Sequence, residues 1–153
     1  MTFQPYIRAD DLSPRRIILL VEDEPFVREA TSGILESAGF EVLSACDLPQ
    51  ALNIYQRYQQ QEHPQKDPPR KIDLVMTDMI LPSGTGQQLG RDLRRHSPTL
   101  AVLVTSGYPN PGFETESPES HMYFLAKPYS KRTLCEKIDQ ILAQKSQAAK
   151  QAS

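Results

Sequence analysis

Five short apolar runs, separated by stretches with helical periodicity, constrain this chain more than any other feature. The runs are Ile17 to Val21, Glu41 to Ala45, Ile72 to Thr77, Leu100 to Thr105 and Met122 to Ala126. The first is continuously apolar and rich in β-branched residues, which suits a strand buried on both faces of a parallel sheet. After it, Pro25 can open a helix, with Val27, Ala30, Ile34 and Ala38 at helical spacing and Gly39 as the stop. Asp47 can cap a second helix carrying Leu48, Ala51, Leu52 and Tyr55. Gly86 to Arg95 holds Leu89 and Leu93 one turn apart, and Ser130 can cap a last helix with Leu134, Ile138, Ile141 and Leu142 inward. Strands alternating with helices predict an α/β fold: a five-stranded parallel sheet, doubly wound, with helices on both faces.

The length of 153 residues suits one domain. Met1 to Pro14 is polar and aperiodic, an extension before a domain spanning residues 15–144. Ala143 to Ser153 is polar and is expected to fray, leaving a tail over 145–153. Prolines number 13 against 7 glycines, and many fall in two interruptions, Gln59 to Lys71 and Tyr108 to Ser120. Pro109, Pro111, Gly112 and Pro118 disfavour a regular helix in the second. A net charge of −2 offers no electrostatic footprint for nucleic acid or an anionic membrane. No apolar run approaches the ~20 residues that cross a bilayer, and no secretory signal is visible. Cys46 and Cys135 make neither a disulfide framework nor zinc spacing. The expectation is a cytoplasmic protein.

In doubly wound sheets, ligands bind beyond the carboxyl ends of the strands. Glu22 and Asp23 follow the first strand, Asp78 ends the third, Thr105, Ser106 and Gly107 end the fourth, and Lys127 follows the fifth. Three carboxylates gathered at one edge repel unless a cation compensates them. A hard divalent ion such as Mg²⁺ takes oxygen ligands, and Lys127 adds a fixed positive charge. Acceptor, metal and donors are the components of phosphoryl transfer, and an Asp carboxylate can attack phosphorus to form an acyl phosphate.

These residues resemble the receiver domain of two-component response regulators. The matching elements are Leu19-Leu20-Val21-Glu22-Asp23-Glu24, Asp78-Met79-Ile80-Leu81-Pro82 with Gly86, Thr105-Ser106-Gly107 and Lys127-Pro128. The resemblance covers about residues 15–144 and implies a flavodoxin-like (βα)5 three-layer sandwich with strand order 2-1-3-4-5. It implies that Asp78 is the phosphoacceptor. Glu22 and Asp23 become the acidic pair for Mg²⁺, Asp23 ahead of Glu22 as the direct ligand, with Asp78 and the backbone carbonyl of Ile80 completing the protein's share. Lys127 would pair with the acceptor and then with the phosphoryl oxygens, and Pro128 would carry a cis peptide bond. Gly107 follows Ser106 as a small residue follows the family's switch hydroxyl, which favours Ser106, with Thr105 as the alternative. Phe124 falls at the switch aromatic.

The function implied is a phosphorylation-activated switch rather than an enzyme, catalysing at most its own phosphorylation and dephosphorylation. The donor would be a histidine kinase or a histidine phosphotransfer protein, with no nucleic acid and no membrane involved. No output element follows Leu142, so signalling would run through protein contacts. Two other readings compete. A haloacid-dehalogenase-type phosphatase needs a second Asp two residues after its nucleophile, and Ile80 stands there. A degenerate receiver, binding partners independently of phosphate, is opposed by the complete set of acids, hydroxyl and lysine. His63, His96 and His121 lack metal spacing and read as solvated surface residues.

Overall fold

The computed structural model describes residues 15–59, 71–107 and 121–151. The elements in chain order are β1 (Ile17–Val21), α1 (Pro25–Ser37), β2 (Glu41–Ala45), α2 (Leu48–Gln59), β3 (Ile72–Asp78), β4 (Ile80–Leu81), β5 (Gly84–Thr85), α3 (Gly86–His96), β6 (Ala101–Ser106), β7 (Met122–Ala126) and α4 (Lys131–Gln151). The main sheet has the order β2-β1-β3-β6-β7, and every pairing in it is parallel. Counting main-sheet strands alone, that is the expected order 2-1-3-4-5.

Side-chain alternation along β1 builds both cores. Ile17, Leu19 and Val21 join Ala51 and Tyr55 of α2 and Leu89 and Leu93 of α3 on one face. Ile18 and Leu20 join Leu35 of α1 and Leu134, Ile138 and Ile141 of α4 on the other. All five residues of β1 are buried, because helices cover both faces of this interior strand.

The helix starts follow the sequence signals. Asp47 Oδ1 accepts from the Gln50 N–H at 2.9 Å, and Ser130 Oγ accepts from the Thr133 N–H at 3.0 Å. Pro25 sits at the start of α1, and Gly39, at φ +99°, turns the chain into β2.

Three expectations need correction. The inward face of α1 is Thr31 and Leu35, with Ile34 half-buried, whereas Val27, Ala30 and Ala38 are exposed. A threonine fits that stripe because its hydroxyl shares a hydrogen bond with the phenol of Tyr129. The chain does not fray at Ala143. The helix α4 runs on to Gln151, through residues that favour helix, and Lys145 Nζ donates to the Asp73 carbonyl at 3.1 Å. His121 is partly buried rather than solvated, with φ +55°, and its imidazole is held below its usual pKa by burial and by Arg94 and Lys145.

The small antiparallel β4–β5 pair was not visible in the sequence. The expectations for residues 1–14, for most of the Gln59 to Lys71 interruption and for the Tyr108 to Ser120 segment lie outside the described residues. Gln59 itself closes α2, donating to the Tyr55 hydroxyl at 2.7 Å and to Ser97 Oγ at 3.0 Å.

Candidate phosphoacceptor site

The strand ends deliver the expected side chains to one place. Asp78 closes β3 opposite Thr105 of β6. The Glu22 N–H donates to the Ala45 carbonyl at 3.0 Å, and the Lys127 N–H donates to the Ser106 carbonyl at 2.8 Å, so both loops leave the sheet in fixed directions. Lys127 Nζ lies 2.5 Å from Asp78 Oδ1 and 3.6 Å from Glu22 Oε1. Thr105 Oγ1 donates to Asp78 Oδ1 at 3.2 Å. Carboxylate oxygens of Glu22, Asp23 and Asp78 lie within 4.8 Å of one another. A cavity of about 150 Å³ opens here, lined by Asp78, Ile80, Thr105, Ser106, Gly107 and Lys127 among others. The Lys127–Pro128 peptide bond is cis.

Charge and burial explain how the groups coexist. Burial alone would depress the Lys127 ammonium, but its hydrogen bond to Asp78 and the charges of Asp78 and Glu22 outweigh that and raise it. Glu22 is pushed up to about 8, first by burial, then by its hydrogen bond with Asp78 and the Asp78 charge, with Lys127 opposing. Two carboxyl groups this close share a proton. Asp23, by contrast, is exposed at the edge of the cluster. Three oxygen donors converging from buried interior to solvent fit a hard divalent cation that keeps part of its water shell.

The raised Glu22 carboxyl has a consequence for stability. The folded protein keeps a proton that the unfolded chain releases near 4.5, so this contribution is complete below that pH and is lost as pH rises through about 8. His121 acts oppositely, favouring the fold above its ordinary pKa and less below it. A comparison between pH 7 and pH 9 therefore isolates Glu22 from the imidazole. In metal-free buffer, wild type should lose about 1 kcal/mol more unfolding free energy over that interval than Glu22→Gln, measured by urea denaturation. Equal losses would contradict the placement of Glu22.

Of the residues read from the sequence, Lys127 contacts Glu22 and Asp78, Thr105 contacts Asp78, Asp23 brings an oxygen within 4.8 Å of those of Glu22 and Asp78, and Ser106 and Ile80 line the cavity. Phe124 lies on β7 opposite Val104, half-buried against the α2–α3 core. Two residues had not been singled out. Arg28 Nη1 donates to the Glu22 carbonyl at 2.8 Å and lies 3.5 Å from the Asp23 carbonyl. Tyr129 follows the Lys127–Pro128 bond and ties that loop to Thr31 of α1. Nothing in a one-dimensional pattern marks Arg28, since its partners are backbone atoms, whereas the Tyr next to Lys-Pro could have been noticed.

Known proteins resemble this chain in sequence and fold. The profile of the response regulator receiver domain matches residues 18–139. The sensor kinase CckA of Brucella abortus is 31% identical over 136 residues, which cover 88% of this chain and 13% of that protein. The phosphate regulon transcriptional regulatory protein PhoB of Escherichia coli is 31% identical over 134 residues, covering 83% of this chain and 52% of PhoB. This chain thus spans about half or less of the length of these relatives. Among solved structures, the receiver domain from the hybrid histidine kinase CckA aligns with a TM-score of 0.64 and 33% identity, over 82% of this chain and 98% of that domain. A response regulator receiver domain protein from Clostridium thermocellum aligns with a TM-score of 0.74 and 25% identity, over 87% and 98%. Such domains are the phosphorylation-activated switches of two-component signalling and generally hold Mg²⁺ at an acidic pocket. The chain belongs to the response regulator receiver domain family.

Proposed function

We propose that this chain accepts a phosphoryl group on Asp78 from a phosphohistidine of a histidine kinase or phosphotransfer protein, with Mg²⁺ held by Glu22, Asp23, Asp78 and the Ile80 carbonyl. The observation that carries the reading is the Asp78 carboxylate, held between the Lys127 ammonium and the Thr105 hydroxyl at the mouth of a cavity. An Asp78 oxygen forms the new bond to phosphorus as the bond to the donor nitrogen breaks. Lys127 stays beside the oxygens on which charge develops, and the metal, when bound, neutralises the rest of that charge. Thr105 holds the acceptor before transfer. Ser106, in the cavity wall beside Gly107, is the hydroxyl assigned to the incoming phosphoryl oxygens.

Signalling follows from differential contacts. A phosphoryl group on Asp78 attracts Ser106 and Lys127, so the β6 end and the Phe124 strand acquire a second preferred arrangement. Phe124 has no phenolic hydroxyl, so it packs without a hydrogen bond in either arrangement. Phe26 is 82% exposed at the start of α1 and Ile80 63% exposed beside the acceptor, apolar surface on which a donor protein can seat. In this reading the chain is a switch rather than an enzyme, and residues 15–144 form the receiver unit.

Beryllofluoride with Mg²⁺ stands in for the phosphoryl group and tests the switch without a donor. The amide signals of Ser106, Gly107, Phe124 and Lys127 should shift in wild type and stay in place in Asp78→Ala. No shift in wild type would sink the proposal. A degenerate receiver predicts that result.

A further inference from the structure

The acidic pair is carried by a short loop that must aim both side chains at one point. Carboxyl oxygens of Glu22 and Asp23 lie within 4.8 Å of each other and of Asp78. The backbone of Glu22 is held from the β2 side by its N–H bond to Ala45. Beyond it, α1 holds the chain at Glu24, whose carbonyl accepts from the Arg28 N–H at 2.8 Å, but Pro25 has no N–H and Glu24 makes no side-chain cap bond. The Glu24 N–H reaches Glu22 Oε2 at only 3.5 Å.

Arg28, one turn into α1, reaches back to this stretch. Its Nη1 donates to the Glu22 carbonyl at 2.8 Å and approaches the Asp23 carbonyl at 3.5 Å. The guanidinium thus grips the peptide groups of the two residues that carry the carboxylates, rather than the carboxylates themselves. We propose that Arg28 is a positioning residue for divalent metal binding, fixing the Glu22–Asp23 backbone so that both carboxylates face Asp78. The inference rests on the receiver reading of the acidic cluster.

Charge and position predict opposite signs here. A cation close to a metal site repels the metal, so if Arg28 acted only by charge, its removal would tighten Mg²⁺ binding. If it acts by holding the loop, its removal weakens binding, as loss of a residue that orients metal ligands commonly does by about tenfold or more. Both bonds come from one nitrogen, Nη1, so Arg28→Lys keeps the charge and a donor but loses the planar group that fixes the donor's direction, and should recover only part of the affinity. Leu35 lies about two turns on along the same helix, buried in the core with Leu134 and Ile138 of α4, which makes Leu35→Val the internal control for loosening of α1.

The test titrates Mg²⁺ into wild type, Arg28→Gln, Arg28→Lys and Leu35→Val, following Glu22, Asp23 and Asp78 amide shifts, with thermal melts alongside. The expected order of affinity is wild type and Leu35→Val together, Arg28→Lys below them, and Arg28→Gln about tenfold or more weaker than wild type. Folded Arg28→Gln or Arg28→Lys binding Mg²⁺ as tightly as wild type, or more tightly, overturns the role of Arg28 alone. An equal loss in Leu35→Val also overturns it, because that pattern marks general loosening of α1. If wild type itself binds no Mg²⁺, the receiver reading of the cluster falls, and this inference with it.

Discussion

Asp78→Ala should take up no phosphoryl group from acetyl phosphate plus Mg²⁺ under conditions that convert the wild type, as read by intact mass. The other two carboxyl groups of the cluster cannot substitute. Glu22 is buried, with Lys127 Nζ 3.6 Å from it against 2.5 Å from Asp78. Asp23 is exposed, and the lysine contacts at this site go to Asp78 and Glu22. In the proposed reaction of the wild type, an Asp78 oxygen attacks phosphorus, the bond from phosphorus to acetate breaks, and acetate leaves with the electron pair. The Lys127 ammonium at 2.5 Å then has a dianionic phosphoryl group in place of one carboxylate oxygen. Stripping divalent metal from the wild type with a chelator should also halt uptake, because one ammonium does not offset the acidic cluster together with an incoming phosphoryl group. Uptake by Asp78→Ala at the wild-type rate would move the chemistry to another residue.

Gly86→Ala should be the most disruptive single-atom change near the site. A Cβ on Gly86 would lie 2.3 Å from the Asp78 carbonyl oxygen and 2.8 Å from Thr77 Cγ2. The first neighbour is backbone and cannot step aside, and the Gly86 N–H is already fixed to the Met79 carbonyl at 2.8 Å. Relief requires α3 to move off β3 or the acceptor strand to shift. Overpacking of this kind costs about 1–3 kcal/mol, and here the shift would also displace Asp78 from Lys127. The expected result is a lowered urea midpoint together with slowed phosphoryl uptake. Gly33→Ala is the control, since a Cβ there meets nothing within 4 Å. It should leave uptake unchanged and should not destabilise the fold.

The same residues explain what could be read from the sequence. The five strands were legible because their apolar runs are short, bounded and buried by helices on both sides, as β1 shows along its full length. The site was legible because parallel strands place every carboxyl end at one edge, so Glu22, Asp23, Asp78, Thr105 and Lys127 had to converge once the strands were assigned. The face of α1 was not legible, because the inward position is Thr31, a polar residue whose burial depends on a hydroxyl partner ninety-eight positions away in Tyr129. Arg28 was invisible for a related reason, as bonds to carbonyl oxygens leave no residue-type signature at the partner. Thr105 and Ser106 could not be separated because both are buried at the strand end, Thr105 on the carboxylate and Ser106 in the cavity wall.

The most direct measurement is to phosphorylate wild-type protein with acetyl phosphate and Mg²⁺, find the modified peptide by mass spectrometry, and challenge it with hydroxylamine. The expected result is a single phosphoryl group on the peptide containing Asp78, released by hydroxylamine as an acyl phosphate should be. A phosphoryl group on a hydroxyl side chain, stable to hydroxylamine, or one mapped away from Asp78, would contradict the account.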